Sequence, residues 1–448
     1  MIERTPIIKL PEYAERESDV TIGGFVEGLR DQRRIQFLIV GDESGSVQTV
    51  NLRNDDDPSK LALTEAISSL TTGSVVEVSG KAVQNEKVKL GGLEVRIEDL
   101  VLHSLAQPGL PIGMDTNLDT RLDWRYLDLR ERKKAHIFDI QTTLESSARN
   151  WWGSNGYKEI HSPKLLAHPS EGGSEEFAIP YFGKDAYLAQ SPQFYKQMAM
   201  AAGFNRVFEI GPVFRANPSF TSRHDTEFTS VDAEISWIDS HHDVMDAEES
   251  LLRHALKDVL DKHGVDILAN FSNELSEQGG LFEIPTNPFP RISLSDARKM
   301  VEETGYIIPA NTEDLDPESE RILCRLTKER YGSDFVFVTD YPISVRPFYH
   351  MRHENNPELT KSYDLLWRGV EITTGAQREH RYDRLKEQIR EKGMDEGGLE
   401  FYTDFFKYGC PPHGGFGLGL TRMLMKITGM NNVREVTFLY RGPKRLTP

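Results

Sequence analysis

Short runs of alternating apolar and polar residues dominate the first hundred positions of the chain. Valine, isoleucine and phenylalanine alternate with polar residues, and glycine, aspartate and asparagine separate the runs, which is typical of strands joined by turns. The runs are TIGGFVEGL, RIQFLIVGD, SVQTVNL, SVVEVSGKAV and LEVRIEDLVL, with a helical pattern, SKLALTEAISSL, between the third and the fourth. Five strands and one helix predict a small closed barrel of the OB type, with another small β-barrel as the alternative.

A segment rich in proline and glycine follows, HSLAQPGLPIGMDTNL at residues 103–118. Such a composition is typical of a linker between domains. We therefore predict a barrel domain over residues 1–107, a linker or hinge over 108–130 and a second domain over 131–448. After the linker, the spacing of apolar residues from DTRLDWRYLDLR to NWWGSNGY predicts one amphipathic helix that ends near Gly153–Gly156.

The rest of the chain mixes strand patterns with helices. Apolar residues spaced by three and four predict a helix over 242–264. The strand patterns are YKEIHSP, FAIPYF, DAYLA, RVFEIGPVFR, EFTSVDAEISWI, DFVFVTDYP, SYDLLWRGVEITTG and HGGFGLGL. Runs of strands with inserted helices favour an α+β domain built on an antiparallel sheet rather than regular βαβ winding.

Composition narrows the class of protein. The 448 residues are 38% hydrophobic, which is enough for real cores and excludes wholesale disorder. No run approaches the ~20 apolar residues of a membrane helix, and the N-terminus lacks the pattern of a signal peptide. The two cysteines form no CxxC pair, which argues against a zinc site or a disulfide framework. We therefore expect a cytoplasmic protein that does not associate with membranes.

Charge bears on nucleic-acid binding. The formal net charge is −17, and residues 1–107 carry 12 basic against 18 acidic side chains, a net of −6. Such a balance argues against indiscriminate binding of nucleic acid. It leaves room for a local basic groove in which unpaired bases are read by stacking and by contacts to their edges.

Three arginines lie in polar segments beside predicted strands: Arg215 in GPVFRANPSF, Arg223 in TSRHDTEF and Arg422 in GGFGLGLTR. Guanidinium groups bind phosphate bidentately, so three of them would neutralise a triphosphate. A hairpin of the strands that flank Arg215 and Arg223 would bring both to one ligand. An ordinary surface or ion-paired arginine is the alternative for each of them.

The glycine run HGGFGLGL is not a dinucleotide loop, because no βαβ unit with a downstream acid accompanies it. We interpret it as a strand on whose bare backbone a flat ring can lie, with the positive end of a following helix beneath it. Phe228 could supply the other side of a ring sandwich, with ordinary sheet packing as the alternative.

Two acids and two cations complete the candidate chemistry. Asp364 and Glu371 lie seven residues apart in one strand pattern, so a bend at Arg368–Gly369 is needed before both can reach one Mg²⁺ ion. Buried acids paired with nearby arginines are the alternative. Lys196 and Arg378 together could hold a carboxylate, although each alone is more often a surface cation.

Specific motifs in a fixed order identify a family. The chain resembles the aspartyl-tRNA synthetases of the archaeal and eukaryotic type, which are class II aminoacyl-tRNA synthetases, and the resemblance covers nearly its whole length. The segments that carry it are GFVEGLRD, RLDWRYLDLR, EIHSPKL, EGGSEEF, YLAQSPQFYKQ, FEIGPVFRANPSFTSRHDTEF, GVEITTGAQREHRYD, PPHGGFGLGLTR and PKRLTP.

The resemblance implies an OB barrel that binds the anticodon, followed by a class II catalytic domain. It implies a homodimer through EIHSPKL, which contains Pro163. It also implies ATP- and Mg²⁺-dependent attachment of L-aspartate to tRNA(Asp) through an aspartyl-adenylate. Whether tRNA(Asn) is charged as well stays open, and Glu27 occupies the position where that discrimination usually lies.

The resemblance also assigns residues. For the nucleotide it implies Arg215 at the α-phosphate, Arg223 and His224 at the outer phosphates, Phe228 on adenine and Arg422 at the γ-phosphate, with Asn217, Asp225, Glu371 and Gly419 in the same site. For aspartate it implies Glu171, Gln193, Lys196, Arg215, Thr374 and Arg378. Catalysis would rest on Arg215, Glu371 and Arg422, the metal on Asp364, Glu371 and Thr374, and anticodon reading on Phe37 and Gln48.

Three departures from the family pattern keep alternatives open. Asn217 and Thr421 replace the usual glutamates, and Leu439–Gly442 replaces the usual FPRD. The alternatives are an asparaginyl-tRNA synthetase, a diverged paralogue that forms an adenylate for an acceptor other than tRNA, and a non-catalytic RNA-binding regulator.

Overall fold

The computed structural model describes residues 4–54, 56–113, 115–168, 175–218, 221–310 and 312–448, and the chain forms two compact units, residues 1–135 and residues 136–447. The strands are β1 (Asp19–Asp31), β2 (Ile35–Gly41), β3 (Ser46–Leu52), β4 (Val75–Gln84), β5 (Leu93–Ser104), β6 (Lys158–Glu159), β7 (Leu165–Leu166), β8 (Ala178–Tyr181), β9 (Lys184–Leu188), β10 (Arg206–Phe214), β11 (Glu227–Ser236), β12 (Arg291–Ser293), β13 (Phe335–Thr339), β14 (Ser362–Trp367), β15 (Val370–Gln377) and β16 (His413–Gly419).

The α-helices are α1 (Leu10–Ala14), α2 (Pro58–Ser68), α3 (Leu118–Asp123), α4 (Arg125–Asp128), α5 (Arg132–Ser154), α6 (Gln193–Ala201), α7 (His241–Ser276), α8 (Leu294–Glu302), α9 (Pro317–Tyr331), α10 (Tyr382–Glu391), α11 (Glu400–Lys407), α12 (Leu420–Thr428) and α13 (Val433–Val436). None of the helices in the described ranges combines the length and the apolar character that crossing a bilayer requires.

The first unit contains the predicted barrel. Its strands close in the order β1-β2-β3-β5-β4, and α2 connects β3 to β4. Alternating side chains of each strand point inward, so that Ile22, Leu38, Val40, Val78 and Val95 are completely buried in one core. The OB-type barrel predicted from the alternation is confirmed.

The second unit is built on an eight-stranded sheet in the order β12-β13-β14-β15-β16-β11-β10-β6. Neighbouring strands are antiparallel except for the two pairs at the edges, β12 with β13 and β10 with β6. α7 packs on β15 and β16, and its first turn is closed by a capping box between Ser240 and Asp243. The predicted antiparallel α+β domain is confirmed.

Two helix predictions were wrong in their extent. The single helix expected to end near Gly153–Gly156 is three helices, α3, α4 and α5, because the backbone of Trp124 leaves the helical region at φ −115° and ψ 38°. The buried Asp128, which accepts hydrogen bonds from Arg125 and Lys134, then fixes the chain before α5 begins. The helix predicted over 242–264 continues through Gly264 to Ser276, with a kink at Phe271, whose φ of −122° and ψ of 21° are not helical.

Candidate active site

A cavity of about 320 Å³ opens on one face of the large sheet, where β10, β11, β15 and β16 meet the start of α6. Thirteen of the predicted site residues line it: Gln193, Lys196, Arg215, Asn217, Arg223, His224, Asp225, Phe228, Glu371, Thr374, Arg378, Gly419 and Arg422. Asp364 lies beside the cavity rather than in its lining, and Glu171 lies outside the described residues.

The hairpin of β10 and β11 positions the first two arginines. Phe214 pairs with Glu227, and the backbone N–H of Arg215 donates to the carbonyl oxygen of Thr226 at 2.9 Å. The Arg215 guanidinium lies 5.3 Å from the centre of the Phe228 ring. The loop between the strands carries Arg223, so one hairpin brings both arginines to the same cavity.

Arg223 is held by groups that the sequence did not single out. Its Nη1 donates to Oε2 of Glu320 on α9 at 2.9 Å, and its Nη2 donates to the carbonyl oxygen of Gly369 at 3.2 Å. Burial, and then the negative charge of Glu371, raise the pKa of Glu320 to about 7. Arg223 therefore connects the loop between β10 and β11 to the turn before β15.

The acidic pair lies on a hairpin and not, as predicted, on one strand. β14 and β15 are joined by Arg368 and Gly369, both with positive φ, so the chain reverses completely at the position where a bend was needed. Asp364 pairs directly with Thr374 across the hairpin. A bulge opposite Leu365 and Leu366 shifts the register.

The bulge changes which side chains share a face. In a regular strand, residues three apart point to opposite sides. Here the hydroxyl of Thr374 donates to Oε1 of Glu371 at 3.2 Å, so both side chains point into the cavity. Arg422 completes the group, because its Nη1 donates to the carbonyl oxygen of Glu371 at 2.8 Å.

The oxygen donors beside this hairpin fit a hard divalent cation. Oδ2 of Asp364 accepts from Arg346 at 2.6 Å, whereas Oδ1 is buried and has no hydrogen-bond partner among the described residues. Burial raises the pKa of Asp364 to about 6, and Arg346 opposes that shift. The described residues contain no ready cluster of three acidic, histidine or cysteine ligands. Such a site suits Mg²⁺, which is held by one or two carboxylates together with substrate phosphates.

Lys196 and Arg378 meet at Glu234. The Lys196 Nζ lies 2.9 Å from Oδ1 of Asp232 and 3.4 Å from Oε2 of Glu234, and the Arg378 Nε donates to Oε1 of Glu234 at 3.0 Å. All four side chains are at least nine-tenths buried. The two positive and two negative charges of this buried group therefore sum to zero, which limits the cost of removing them from water.

The glycines of β16 make room for this network. A Cβ at Gly415 would lie 2.1 Å from Oε2 of Glu234 and 2.1 Å from a backbone oxygen of β11, so glycine is required there. The Nη2 of Arg378 donates to the Gly415 carbonyl oxygen at 2.9 Å, and its Nη1 donates to Nε2 of His350 at 3.1 Å. Burial, and then the charge of Arg378, hold the pKa of His350 well below its usual range, so the ring is a neutral acceptor.

Sequence reasoning missed the carboxylates of this network. Residues 228, 230, 232 and 234 share one face of β11, because alternate residues of a strand point the same way. The alternation in the sequence could therefore have predicted that Asp232 and Glu234 lie on the same face of the strand as Phe228. Glu320 and Arg346 gave no such signal, since each reaches the site from a distant segment.

The segment Leu439–Gly442, where the sequence departs from the family pattern, contacts residues of the cavity. The Tyr440 hydroxyl donates to the carbonyl oxygen of His224 at 3.2 Å, and the N–H of Thr226 donates to the carbonyl oxygen of Arg441 at 3.0 Å. The segment therefore fixes the backbone on both sides of Asp225. Thr421 is buried and lines the cavity.

A separate cavity of about 1200 Å³ lies on the barrel and includes Phe37 and Gln48. Five basic side chains and two acidic ones line it: Arg30, Lys60, Lys87, Lys89, Arg96, Glu94 and Glu98. This groove is thus locally basic although the barrel is acidic. Glu27 is not in its lining, since its carboxylate accepts from Arg132 and Ser46.

Comparison with known protein families gives a match in each of the two units of the chain. Residues 117–441 match the family of class II tRNA synthetases (D, K and N), and residues 20–102 match the OB-fold nucleic acid binding domain. The chain is 42% identical over 433 residues to the aspartate–tRNA(Asp/Asn) ligase of Aeropyrum pernix, covering 96% of this chain and 95% of the relative. It is 40% identical to the aspartate–tRNA(Asp) ligase of Thermococcus kodakarensis, covering 96% of each chain.

Solved structures include a similar molecule with another specificity. The crystal structure of asparaginyl-tRNA synthetase from Pyrococcus horikoshii, complexed with asparaginyl-adenylate, is 31% identical in sequence. It superposes with a TM-score of 0.88 over 100% of both chains.

Proposed function

The chain belongs to the class II tRNA synthetases of the D, K and N type, and we propose that it attaches L-aspartate to tRNA(Asp) through an aspartyl-adenylate made from ATP. One observation carries the choice of amino acid. Lys196 and Arg378 meet at Glu234 in a cavity that also contains Arg215, Arg223 and Arg422. A carboxylate side chain and a triphosphate are the ligands that these two sets of cations suit.

Lys196 and Arg378 would select aspartate because both side chains offer only donors to the side chain of the amino acid. Lys196 and Arg378 have no acceptor atoms, so they pair with a carboxylate oxygen but leave the NH₂ group of an asparagine side chain unpaired. A buried polar group without a partner is costly, and asparagine is rejected for that reason. Asp232, which also lines the cavity, offers a carboxylate to the α-ammonium group of the substrate. The family resemblance gives the same role to Glu171, which lies outside the described residues.

Adenylate formation needs positioning and charge neutralisation. The α-carboxylate of aspartate attacks the α-phosphorus of ATP, and the bond to pyrophosphate breaks. Arg215 binds the α-phosphate where negative charge develops, and Arg223, His224 and Arg422 bind the outer phosphates. Phe228 and the bare backbone of β16 hold adenine, so that the reacting atoms are aligned before the step begins.

Mg²⁺ would be held by Glu371, Thr374 and Asp364 together with phosphate oxygens. When bound, it supplies positive charge that offsets the triphosphate. The bulge in the β14–β15 hairpin turns Glu371 and Thr374 to the same side of the sheet, where both could reach one ion.

The second step transfers aspartate to tRNA. A terminal ribose hydroxyl of the tRNA attacks the carbonyl carbon of the adenylate and releases AMP. The basic groove of the barrel, with Phe37 and Gln48, reads the anticodon of tRNA(Asp), and the enzyme acts as a homodimer. The relatives differ over tRNA(Asn), because the ligase of Aeropyrum pernix is named for tRNA(Asp) and tRNA(Asn) and that of Thermococcus kodakarensis for tRNA(Asp).

ATP–pyrophosphate exchange tests the proposal. Exchange should depend on aspartate and stay near background with asparagine or without an amino acid, and purified tRNA(Asp) should accept labelled aspartate. Exchange driven by asparagine would identify an asparaginyl enzyme. Aspartate-dependent exchange without charging of any tRNA would indicate an adenylate-forming paralogue, and no exchange would indicate a regulator.

A further inference from the structure

A buried carboxylate oxygen in the cavity of about 320 Å³ has no hydrogen-bond partner among the described residues. Asp225 lines the cavity and is only 9% exposed, and its Oδ2 makes no hydrogen bond among the described residues. Burial raises the pKa of Asp225 to about 7, and the charges of Arg422 and Arg215 oppose the shift. An unpaired buried oxygen destabilises the empty site, and a ligand donor that reaches it recovers the lost free energy.

The backbone on both sides of Asp225 is held before any ligand binds. Tyr440 holds the backbone before Asp225 through the carbonyl oxygen of His224, and Arg441 holds the backbone after it through the N–H of Thr226. The carbonyl oxygen of Thr226 in turn accepts from Arg215 at 2.9 Å. Because the backbone of Asp225 is already positioned, less conformational entropy is lost when its side chain contacts a ligand, which favours a specificity contact.

The chemistry of the cavity limits what the donor can be. Phosphate groups offer only acceptors and would be repelled by the carboxylate. The amino-acid substrate belongs at Lys196 and Arg378, which already lie against Asp232 and Glu234. The remaining donors are the amine of the base and the ribose hydroxyls. Phe228, three residues from Asp225 on the same hairpin, is the ring on which the base stacks, and this favours the base.

Resting on the proposed function, we propose that Oδ2 of Asp225 accepts a hydrogen bond from the exocyclic amine of adenine and thereby selects ATP over purine triphosphates with an oxygen at that position. An oxygen such as that of inosine triphosphate would face the carboxylate as a second acceptor, with no proton between them. A site built around a donor rejects analogues that lack it.

The test compares ATP with inosine triphosphate in aspartate-dependent exchange at pH 8.5, where the carboxyl group is ionised. The wild-type protein should prefer ATP by roughly tenfold or more in kcat/KM. D225N should reduce that preference by roughly tenfold, because an amide can turn its NH₂ group toward the inosine oxygen. D225A should lose roughly tenfold with ATP and little with inosine triphosphate.

Several readouts separate this contact from a structural effect. The KM for aspartate should not change in either variant. E227Q, which removes an exposed carboxylate two residues away, should keep the wild-type preference. An unchanged ratio of ATP to inosine triphosphate in both variants would overturn the proposal. The proposal would also be overturned if D225A lost activity with ATP but not with 2′-deoxy-ATP or 3′-deoxy-ATP. That result would make a ribose hydroxyl, and not the amine of the base, the donor to Asp225.

The inference and the proposed function fail in different ways. Equilibrium binding of ATP and inosine triphosphate without any amino acid should show the same preference, and D225A should remove it. This measurement tests the base contact even if aspartate supports no exchange. Equal binding of both nucleotides to the wild-type protein would overturn the inference and leave the choice of amino acid untouched.

Discussion

At the scale of single residues, the site depends on buried charges that compensate one another. Lys196, Arg378, Asp232 and Glu234 form a neutral group in which each member has an ionic partner. Taking one member away leaves a buried charge without compensation, which is far more costly than losing an exposed ion pair. Specificity for aspartate and stability of the sheet therefore depend on the same side chains.

Lys196→Met should weaken aspartate binding far more than ATP binding. We expect the KM for aspartate to rise roughly tenfold to 100-fold, because a charge-assisted hydrogen bond is worth about 1.5–3 kcal/mol, with little change in the KM for ATP. Lys164→Met is the control, since it removes a lysine bonded to Glu209 at 2.6 Å outside the cavity. Equal losses for both substrates would contradict the assigned role.

Buried histidines should make the protein less stable in acid. His413 is completely buried, donates from Nδ1 to the carbonyl oxygen of Pro411 and accepts at Nε2 from Gln197. Burial lowers its pKa to about 4, whereas an unfolded histidine titrates near 6.5. The unfolded chain therefore binds more protons between these pH values, and stability falls as the pH drops from about 6.5 toward 4.

Urea unfolding between pH 4 and pH 8 measures this loss, which is at most about 1.4 kcal/mol per pH unit for one group. His413→Asn should flatten the dependence, and His254→Asn, at an exposed histidine, should not. A variant at His413 with the full wild-type slope would show that other groups cause the acid sensitivity.

How far single residues could be predicted depends on their neighbours in sequence. Arg215, Arg223 and Arg422 were found because each lies in a polar segment beside a strand. Glu320 was not found because it lies 97 residues from Arg223 in the chain, and the sequence gives no sign that the two side chains meet. Family resemblance assigns roles to matching residues, but it does not identify the residues, such as Glu320, that hold those side chains in position by hydrogen bonds.

At the scale of elements, the β14–β15 hairpin organises the metal side of the site. The positive φ values of Arg368 and Gly369 produce the tight turn, and Arg368 is held by its bond from Nη1 to the carbonyl oxygen of Gly280 at 2.8 Å. A Cβ at Gly369 would lie 2.7 Å from the Arg321 side chain and 3.2 Å from its Cα. Only glycine satisfies both the conformation and the space.

Gly369→Ala should therefore destabilise the protein by about 2–4 kcal/mol through backbone strain and the clash. It should also raise the KM for ATP, because the Gly369 carbonyl oxygen positions Arg223. Gly393→Ala separates the two causes, since Gly393 has φ +67° and no atom within 4 Å of the added Cβ. Urea unfolding that gave equal losses for the two variants would refute the effect of the clash.

Helices and strands were predicted correctly where the spacing of apolar residues followed a single pattern without a break. The barrel strands alternate cleanly, and the barrel formed as expected. The helix before Gly153–Gly156 was predicted as continuous because apolar spacing does not reveal the break at Trp124. The hairpin was merged into one strand because the Arg–Gly turn lies between two runs of strongly β-forming residues.

At the scale of the whole molecule, an acidic chain contains a locally basic groove. The net charge of −17 limits binding to arbitrary nucleic acid, and the cavity on the barrel concentrates five basic side chains around Phe37. Composition alone could not predict this distribution, since it arises only when β1, β2, β3 and β5 close around the groove.

Phe37→Ala should impair charging of tRNA and leave amino-acid activation intact. Base stacking on an aromatic ring is worth about 1–3 kcal/mol, so the KM for tRNA should rise roughly tenfold to 100-fold. Tyr13→Ala, at an aromatic residue of the same unit outside the groove, is the control. Charging at the wild-type rate by the Phe37 variant would show that this ring reads no base.

The most direct test of the account is a crystal structure of the protein with a non-hydrolysable aspartyl-adenylate analogue. We predict the adenine on Phe228, the phosphate beside Arg215 and the side-chain carboxylate against Lys196 and Arg378. An analogue bound outside this cavity, or one whose carboxylate points away from both cations, would contradict it.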